Sequence, residues 1–276
     1  MDFLYRRSYR GSVKAVILDW AGTAVDYGSF APTMVFLRLF EHQGVTITSE
    51  EARSGMGLMK KDHLRTILKL DRVAKAWQEV HGKPSSEADV DNLFNNFVPM
   101  QTTVLVDYAD PIPGLLHVVE DLHQQGIKIG STTGYIHSMM DILAPEAAKH
   151  GYEPDCIVSS DDVPAGRPYP WMSYQNAMQM GVYPLEAIVK VGDTIPDIEE
   201  GLNADMWTVG LSMTGSLLGM DQSGADELTE DQRQTCRKEI SSKLYRAGAH
   251  YVIDGIWDLP IVLEKIKQRL DSGEKP

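Results

Sequence analysis

Six short runs of apolar and β-branched residues punctuate the chain: Val13 to Trp20, Ile127 to Thr133, Cys156 to Ser160, Ile188 to Gly192, Met206 to Leu211 and Tyr251 to Ile253. None alternates cleanly between apolar and polar positions, which predicts strands buried on both faces. Between them, Gly114 to Gln125, Tyr135 to Lys149, Pro170 to Met180 and Ile195 to Asn203 carry apolar residues at helical spacing. Strands alternating with helices predict an α/β fold, a parallel sheet covered by helices on both sides. Val262 to Pro276 reads as a terminal helix and Arg233 to Lys243 as a solvated helix face. The Gly- and Ser-rich segment Thr214 to Gly224 reads as a surface loop.

One stretch breaks the alternation. From about Ala31 to Val106 no strand pattern occurs and helical signals follow one another, with candidate capping boxes at Thr48 and Glu51 and at Ser86 and Asp89. This predicts a catalytic core of residues 1–28 and 107–276 and a helical cap of residues 29–106. A unit inserted after the first strand sits over the carboxyl ends of the strands, where open α/β sheets bind ligands, and can act as a lid.

Composition narrows the function. With 276 residues and 43% hydrophobic content the chain can bury a sizeable core. A formal charge of -13 and a pI near 5.0 argue against nucleic acid, whose binding needs a basic face. An anionic substrate would need a metal, an Arg or a Lys in its site. Met1 to Arg10 lacks the apolar segment of a secretory leader and no later run is long enough to span a bilayer, so no membrane association and a cytoplasmic location are expected. Cys156 and Cys236 lie too far apart for a metal-like spacing and read as structural.

Four polar groups close elements of the sheet unit: Asp19; Thr133 with Gly134; Arg167; and Gly192-Asp193-Thr194 followed by Asp197. In a parallel sheet these ends share one crevice. A single Asp closing a strand is more often a turn former or helix cap. All four in this order suit phosphoryl transfer. A carboxylate nucleophile meets an anionic phosphoryl group only if a hard cation on oxygen ligands relieves the repulsion, and Asp19, Asp193 and Asp197 can supply those ligands. Donors at Thr133 and Gly134 would hold phosphoryl oxygens, and Arg167 offers a cationic fork to the transition state.

These motifs, Asp19-Trp20-Ala21-Gly22-Thr23, Thr133, Arg167 and Gly192-Asp193-Thr194 through Asp197, resemble those of the haloacid dehalogenase superfamily. The resemblance implies a Rossmann-like core, a helical cap inserted after the first motif, and Mg²⁺ held by Asp19, the Ala21 carbonyl, Asp193 and Asp197, the last directly or through water. Phosphatases of that superfamily carry a second Asp two residues after the nucleophile, as acid and base for the leaving oxygen. Ala21 stands there. An ordinary phosphatase or phosphomutase, the alternative reading, would lack its proton donor.

Three strings, Ser54-Gly-Met56-Gly57-Leu-Met-Lys60-Lys61-Asp-His63, Val163-Pro-Ala-Gly-Arg167-Pro-Tyr-Pro-Trp171 and Asp19 through Gly28, resemble the branch of that superfamily that cleaves carbon-phosphorus bonds. The resemblance implies hydrolysis of 2-oxoethylphosphonate to acetaldehyde and phosphate, with a Schiff base on a cap lysine. An imine is the electron sink that a carbon leaving group needs. Lys60 and Lys61 are adjacent and composition does not choose between them; the family string puts the imine at Lys60. An unperturbed amine is neutral in only about one molecule in 2,500 at pH 7, so burial near Arg167 and a metal would have to lower its pKa. His63, three residues on, falls on the same helix face and could shuttle protons. Met56 resembles the residue packed near the imine, Tyr135 could line the substrate pocket, and Ser29 falls where the cleft should open. Trp20 and Trp171 read as packing residues. The resemblance also implies a homodimer, formed through the cap.

Overall fold

The computed structural model describes residues 8–276; residues 1–7, on which part of the expectation for Met1 to Arg10 rests, lie outside them. All six expected strands form, in one parallel sheet of order β3-β2-β1-β4-β5-β6. They are β1 (Ala15–Leu18), β2 (Lys128–Thr132), β3 (Cys156–Val158), β4 (Ile188–Gly192), β5 (Trp207–Leu211) and β6 (Tyr251–Ile253). Burial on both faces explains the unbroken apolar runs: β1 and β5 are buried at every position. The chain winds outward from β1 through β2 to β3, then returns to β4 on the other side of β1. The switch point between these directions is where such sheets open a crevice at their carboxyl ends.

Five helices separate β1 from the rest of the sheet: α1 (Phe30–His42), α2 (Ser49–Arg53), α3 (Lys60–Lys69), α4 (Asp71–His81) and α5 (Glu87–Val104). Both expected capping boxes exist, at Thr48 with Glu51 and at Ser86 with Asp89. The two chain crossings that bound this insertion bond to each other, Ile112 N donating to Ala24 O at 2.8 Å. One apolar cluster runs from Val16 and Leu18 through Trp20, Val25 and Leu105 into Phe36, Leu64, Trp77 and Phe97, so the core continues through the crossings into the inserted helices.

The remaining helices are α6 (Leu115–Gln124), α7 (His137–Lys149), α8 (Trp171–Met180), α9 (Ile195–Asn203), α10 (Gln222–Asp226), α11 (Glu230–Arg246) and α12 (Leu259–Asp271). Two expectations need correction. Thr214 to Gly224 is no plain surface loop: Thr214 and Ser216 are buried, because this segment folds back against the ends of β1 and β4. Trp171 is 43% exposed at the start of α8, not packed inside; Trp20 is fully buried, its indole N–H donating to Ser131 Oγ. Among the described residues no helix is long and apolar enough to cross a membrane.

Candidate active site

Asp19 leaves the sheet directly after β1, and Asp193 directly after β4, so the parallel pairing of these strands sets the two carboxylates side by side. Asp197 sits in the first turn of α9, where it completes a capping box with Thr194. The structural role expected for such an Asp and the proposed ligand role therefore fall on one residue. Oxygens of Asp19, Asp193 and Asp197 lie within 4.8 Å of one another, and all three side chains are buried.

Arg167 ties this cluster together. Its guanidinium pairs with Asp19 at 2.7 Å, Asp197 at 3.1 Å and Glu200 at 2.8 Å, and donates to Thr132 O and to Gly57 O. Lys190, wholly buried although it lies in β4, pairs with Asp197 at 2.7 Å and Glu200 at 3.7 Å. Asp193 accepts from Thr23 and from the backbone and hydroxyl of Ser216.

The balance of charge is uneven. Four buried carboxylates, Asp19, Asp193, Asp197 and Glu200, face two buried cations, Arg167 and Lys190. Burial and then repulsion from Asp197 raise the pKa of Asp19 against the pull of Arg167 and Lys190. Burial, then Asp19 and Asp197, likewise raise Asp193. Asp197 is lowered despite its burial, since Arg167 and Lys190 both hold it ionised. A cluster of hard oxygen donors with more carboxylates than cations has the chemistry that suits a divalent cation. Asp197, with one oxygen shared by Lys190 and Arg167 and the other taking Thr194, has the least freedom to bind it directly.

The opposite wall comes from the inserted helices. Lys60 is the first residue of α3, where the unpaired N–H groups of the helix disfavour a positive charge. It is 4% exposed, and burial, opposed by Asp19, brings its pKa down to about 8. Its Nζ lies over the ring of Tyr135, 4.7 Å from the centroid. Lys61, next in sequence, is partly exposed and pairs with Asp91, so the structure separates the two lysines that composition could not.

Asp19, Ala21, Met56, Gly57, Lys60, Thr133, Gly134, Tyr135, Arg167 and Thr194 enclose one cavity of about 20 Å³. That holds a single water and no phosphonate, so substrate entry requires the walls to part. Two glycines let them approach: a Cβ on Gly134 would lie 2.6 Å from Leu58 O, and one on Gly57, whose φ is 90°, would strike Thr194. Met56, Thr133, Gly134 and Tyr135 all reach the cavity, as expected. His63 does not line it. It is buried behind Lys60, with Nε2 at 2.7 Å from Ala52 O and the ring tilted on Phe36, and burial followed by the nearby Lys60 holds its pKa well below 6.5. Ser29 is buried beneath the cleft and donates to the Ala21 carbonyl.

Sequence reasoning missed Glu200, Lys190, Ser216 and Gln101. Glu200 lies one helical turn after Asp197, and that spacing was the available signal. The others reach the site from positions with no local motif.

Residues 13–205 match the family model described as haloacid dehalogenase-like hydrolase. The chain belongs to that family. It is therefore a hydrolase, and relatives covering almost its whole length narrow the branch. A protein of Bacillus cytotoxicus named phosphonoacetaldehyde hydrolase is 50% identical over 257 residues, covering 93% of this chain and 97% of the relative. One of Syntrophobacter fumaroxidans named phosphonoacetaldehyde hydrolase-like protein is 47% identical over 268 residues, 97% of each. A crystal structure of a phosphonoacetaldehyde hydrolase-like protein from Oleispira antarctica superposes with a TM-score of 0.97 over 100% of both chains, at 41% identity. This member of the haloacid dehalogenase-like hydrolases thus carries its charged cluster and its buried lysine on a backbone closely similar to that structure.

Proposed function

We propose that this enzyme hydrolyses phosphonoacetaldehyde to acetaldehyde and phosphate. The observation that carries the reading is Lys60, a buried amine with a lowered pKa across one cavity from Asp19, in a chain where Ala21 replaces the acid a phosphatase needs. The relatives' names support it independently.

The core expected over residues 1–28 and 107–276, described from residue 8 onward, carries the charged cluster, and residues 29–106 act as a cap that opens to admit substrate. Neutral Lys60 condenses with the aldehyde and releases water, giving an imine whose protonated form accepts electrons from the carbon-phosphorus bond. Asp19 attacks phosphorus; the bond's electron pair moves onto the imine as an enamine. Protonation and hydrolysis return acetaldehyde and free Lys60, and water releases phosphate from the aspartyl phosphate. Arg167, drawn off its carboxylates, holds phosphonate oxygens, and Thr133 and Gly134 supply further donors. Met56 and Tyr135 pack about the aldehyde carbon. His63, neutral and behind Lys60, would move protons only through a rearranged contact. Mg²⁺ would be held by Asp19, the Ala21 carbonyl and Asp193, with Asp197 directly or through water, and would supply the positive charge that lets one anion approach another. The working enzyme is a cytoplasmic homodimer.

The test is direct. Incubated with phosphonoacetaldehyde and Mg²⁺, the protein should release phosphate and acetaldehyde in equal amounts, and borohydride should label Lys60. Lys60→Arg keeps the charge and cannot form an imine, so turnover should fall by roughly a thousandfold or more. Absence of phosphate release, or label on Lys61 alone, would sink the reading.

A further inference from the structure

The buried face of α5 is an apolar stripe, Val90, Leu93 and Phe97, continued at the next helical step by Gln101. Gln101 is fully buried. An amide at such a position weakens packing unless its polar atoms are used, and here only half are: Nε2 donates to the Tyr135 hydroxyl at 3.3 Å, while Oε1 has no partner among the described residues. Local consistency calls for Leu or Met. Departures of this kind collect where function overrides folding.

Tyr135 is held at its other end by the sheet side. Its backbone N–H donates to Thr133 Oγ1, and its carbonyl accepts from the backbone and hydroxyl of Ser160. The ring, 2% exposed, lies between that anchor and Gln101, with one face toward Lys60 Nζ. Two anchors, one at the backbone and one at the hydroxyl, fix a ring that a single anchor would leave free to tilt.

We propose that Gln101 is a positioning residue for the imine chemistry: by holding the Tyr135 hydroxyl it keeps the face of that ring against the nitrogen of Lys60. This rests on the Lys60 imine proposed above. The protonated imine is a cation at that nitrogen, and an aromatic face in a desolvated site stabilises a cation while adding no charge that would repel phosphonate. Gln101 acts through Tyr135 and touches no reacting atom. Its place on α5 of the cap also means that the ring is fully held only when cap and core are together.

The experiment uses Gln101→Met, which preserves length and apolar packing while removing the donor. Acetaldehyde with borohydride reports imine formation alone, and phosphonoacetaldehyde turnover reports the whole cycle. Expected are a melting temperature at or above wild type, a kcat lower by about tenfold, a KM within about threefold, and trapping at Lys60 slowed by about the same factor as kcat. Tyr135→Phe, which cuts the same bond from the core side, should lower both rates, and the double variant should be no slower than the slower single. Wild-type kcat and trapping in Gln101→Met, or losses that multiply in the double variant, would overturn the proposal. Should Gln101→Met fail to fold, an unchanged trapping rate in Tyr135→Phe overturns it equally. Wild-type protein trapped nowhere at Lys60 refutes the imine itself; wild-type trapping with an unaffected variant refutes only the role of Gln101.

Discussion

On the sheet side of the cavity the charged groups have polar partners: Arg167 three carboxylates, Lys190 two, and Asp193 the donors of Ser216 and Thr23. On the helical side Lys60 has no ion pair among the described residues and faces an aromatic ring. The first wall is built to hold charge; the second buries its amine without a counterion. A phosphoryl group needs the former, because it arrives charged and leaves charged. An amine nucleophile needs the latter, because solvation and counterions would keep it protonated. Carbon-phosphorus cleavage by this route requires both walls at once, which explains why they meet across a space no larger than a water molecule.

The sharpest way to break that contrast is to disable one wall alone. Asp19→Asn should lower phosphate release by roughly 10⁴-fold or more, yet leave borohydride trapping of acetaldehyde at Lys60 within about twofold of wild type. Parallel phosphate and trapping assays decide it. If trapping collapses with phosphate release, the walls do not act separately. Removal of metal by a chelator is next in size. Phosphate release should fall by about a thousandfold and return with Mg²⁺, trapping should persist, and the melting temperature should drop, since the excess negative charge of the buried cluster loses its counterion.

The two walls were not equally legible in the sequence. Asp19 and Asp193 stood out because strand ends are visible as the stops of apolar runs, and a parallel sheet gathers such stops on one edge, whereas Arg167, in the loop between β3 and α8, was visible through its motif. Lys60 was visible only through the string around it; nothing in composition separates it from Lys61, and burial against an exposed pair with Asp91 does so only in three dimensions. Lys190 hid in a strand whose other residues are apolar. Ser216 hid in a segment whose Gly and Ser content suggested solvent, although its hydroxyl meets Asp193 at 2.9 Å. Gln101 hid in the opposite way, as one polar residue on a helix long enough to have many.

Glu200 tests how far the charged wall depends on groups that never touch substrate. It accepts from Thr132, Arg167 and Ser173 in the interior. Glu200→Gln keeps the shape and removes the charge, leaving Arg167 and Lys190 short of a partner. Breaking a buried ionic network in this way costs roughly 3–5 kcal/mol, and urea unfolding should register a loss of that order. Imine trapping in the fraction that remains folded should be unchanged, because Lys60 lies on the other wall. A variant as stable as wild type would mean that the charged wall is over-determined without Glu200.

The smallest effect bears on the helical wall and comes from pH. Trapping requires neutral Lys60, whose pKa burial lowers from 10.5 to about 8. The sign is fixed by the chemistry: the reactive form gains as pH rises through the folded pKa, so the trapping rate should climb by about tenfold between pH 7 and pH 9 and then level off. An unshifted amine would climb about a hundredfold over the same span and keep rising. Borohydride itself decays faster in acid, so cyanoborohydride at constant excess is the better reductant, with the label quantified by peptide mapping. A plateau near pH 9 means that the helical wall withholds charge by its construction. Continued rise beyond it would mean that Lys60 is solvated as soon as the cap opens, and that the contrast between the walls exists only while they are closed.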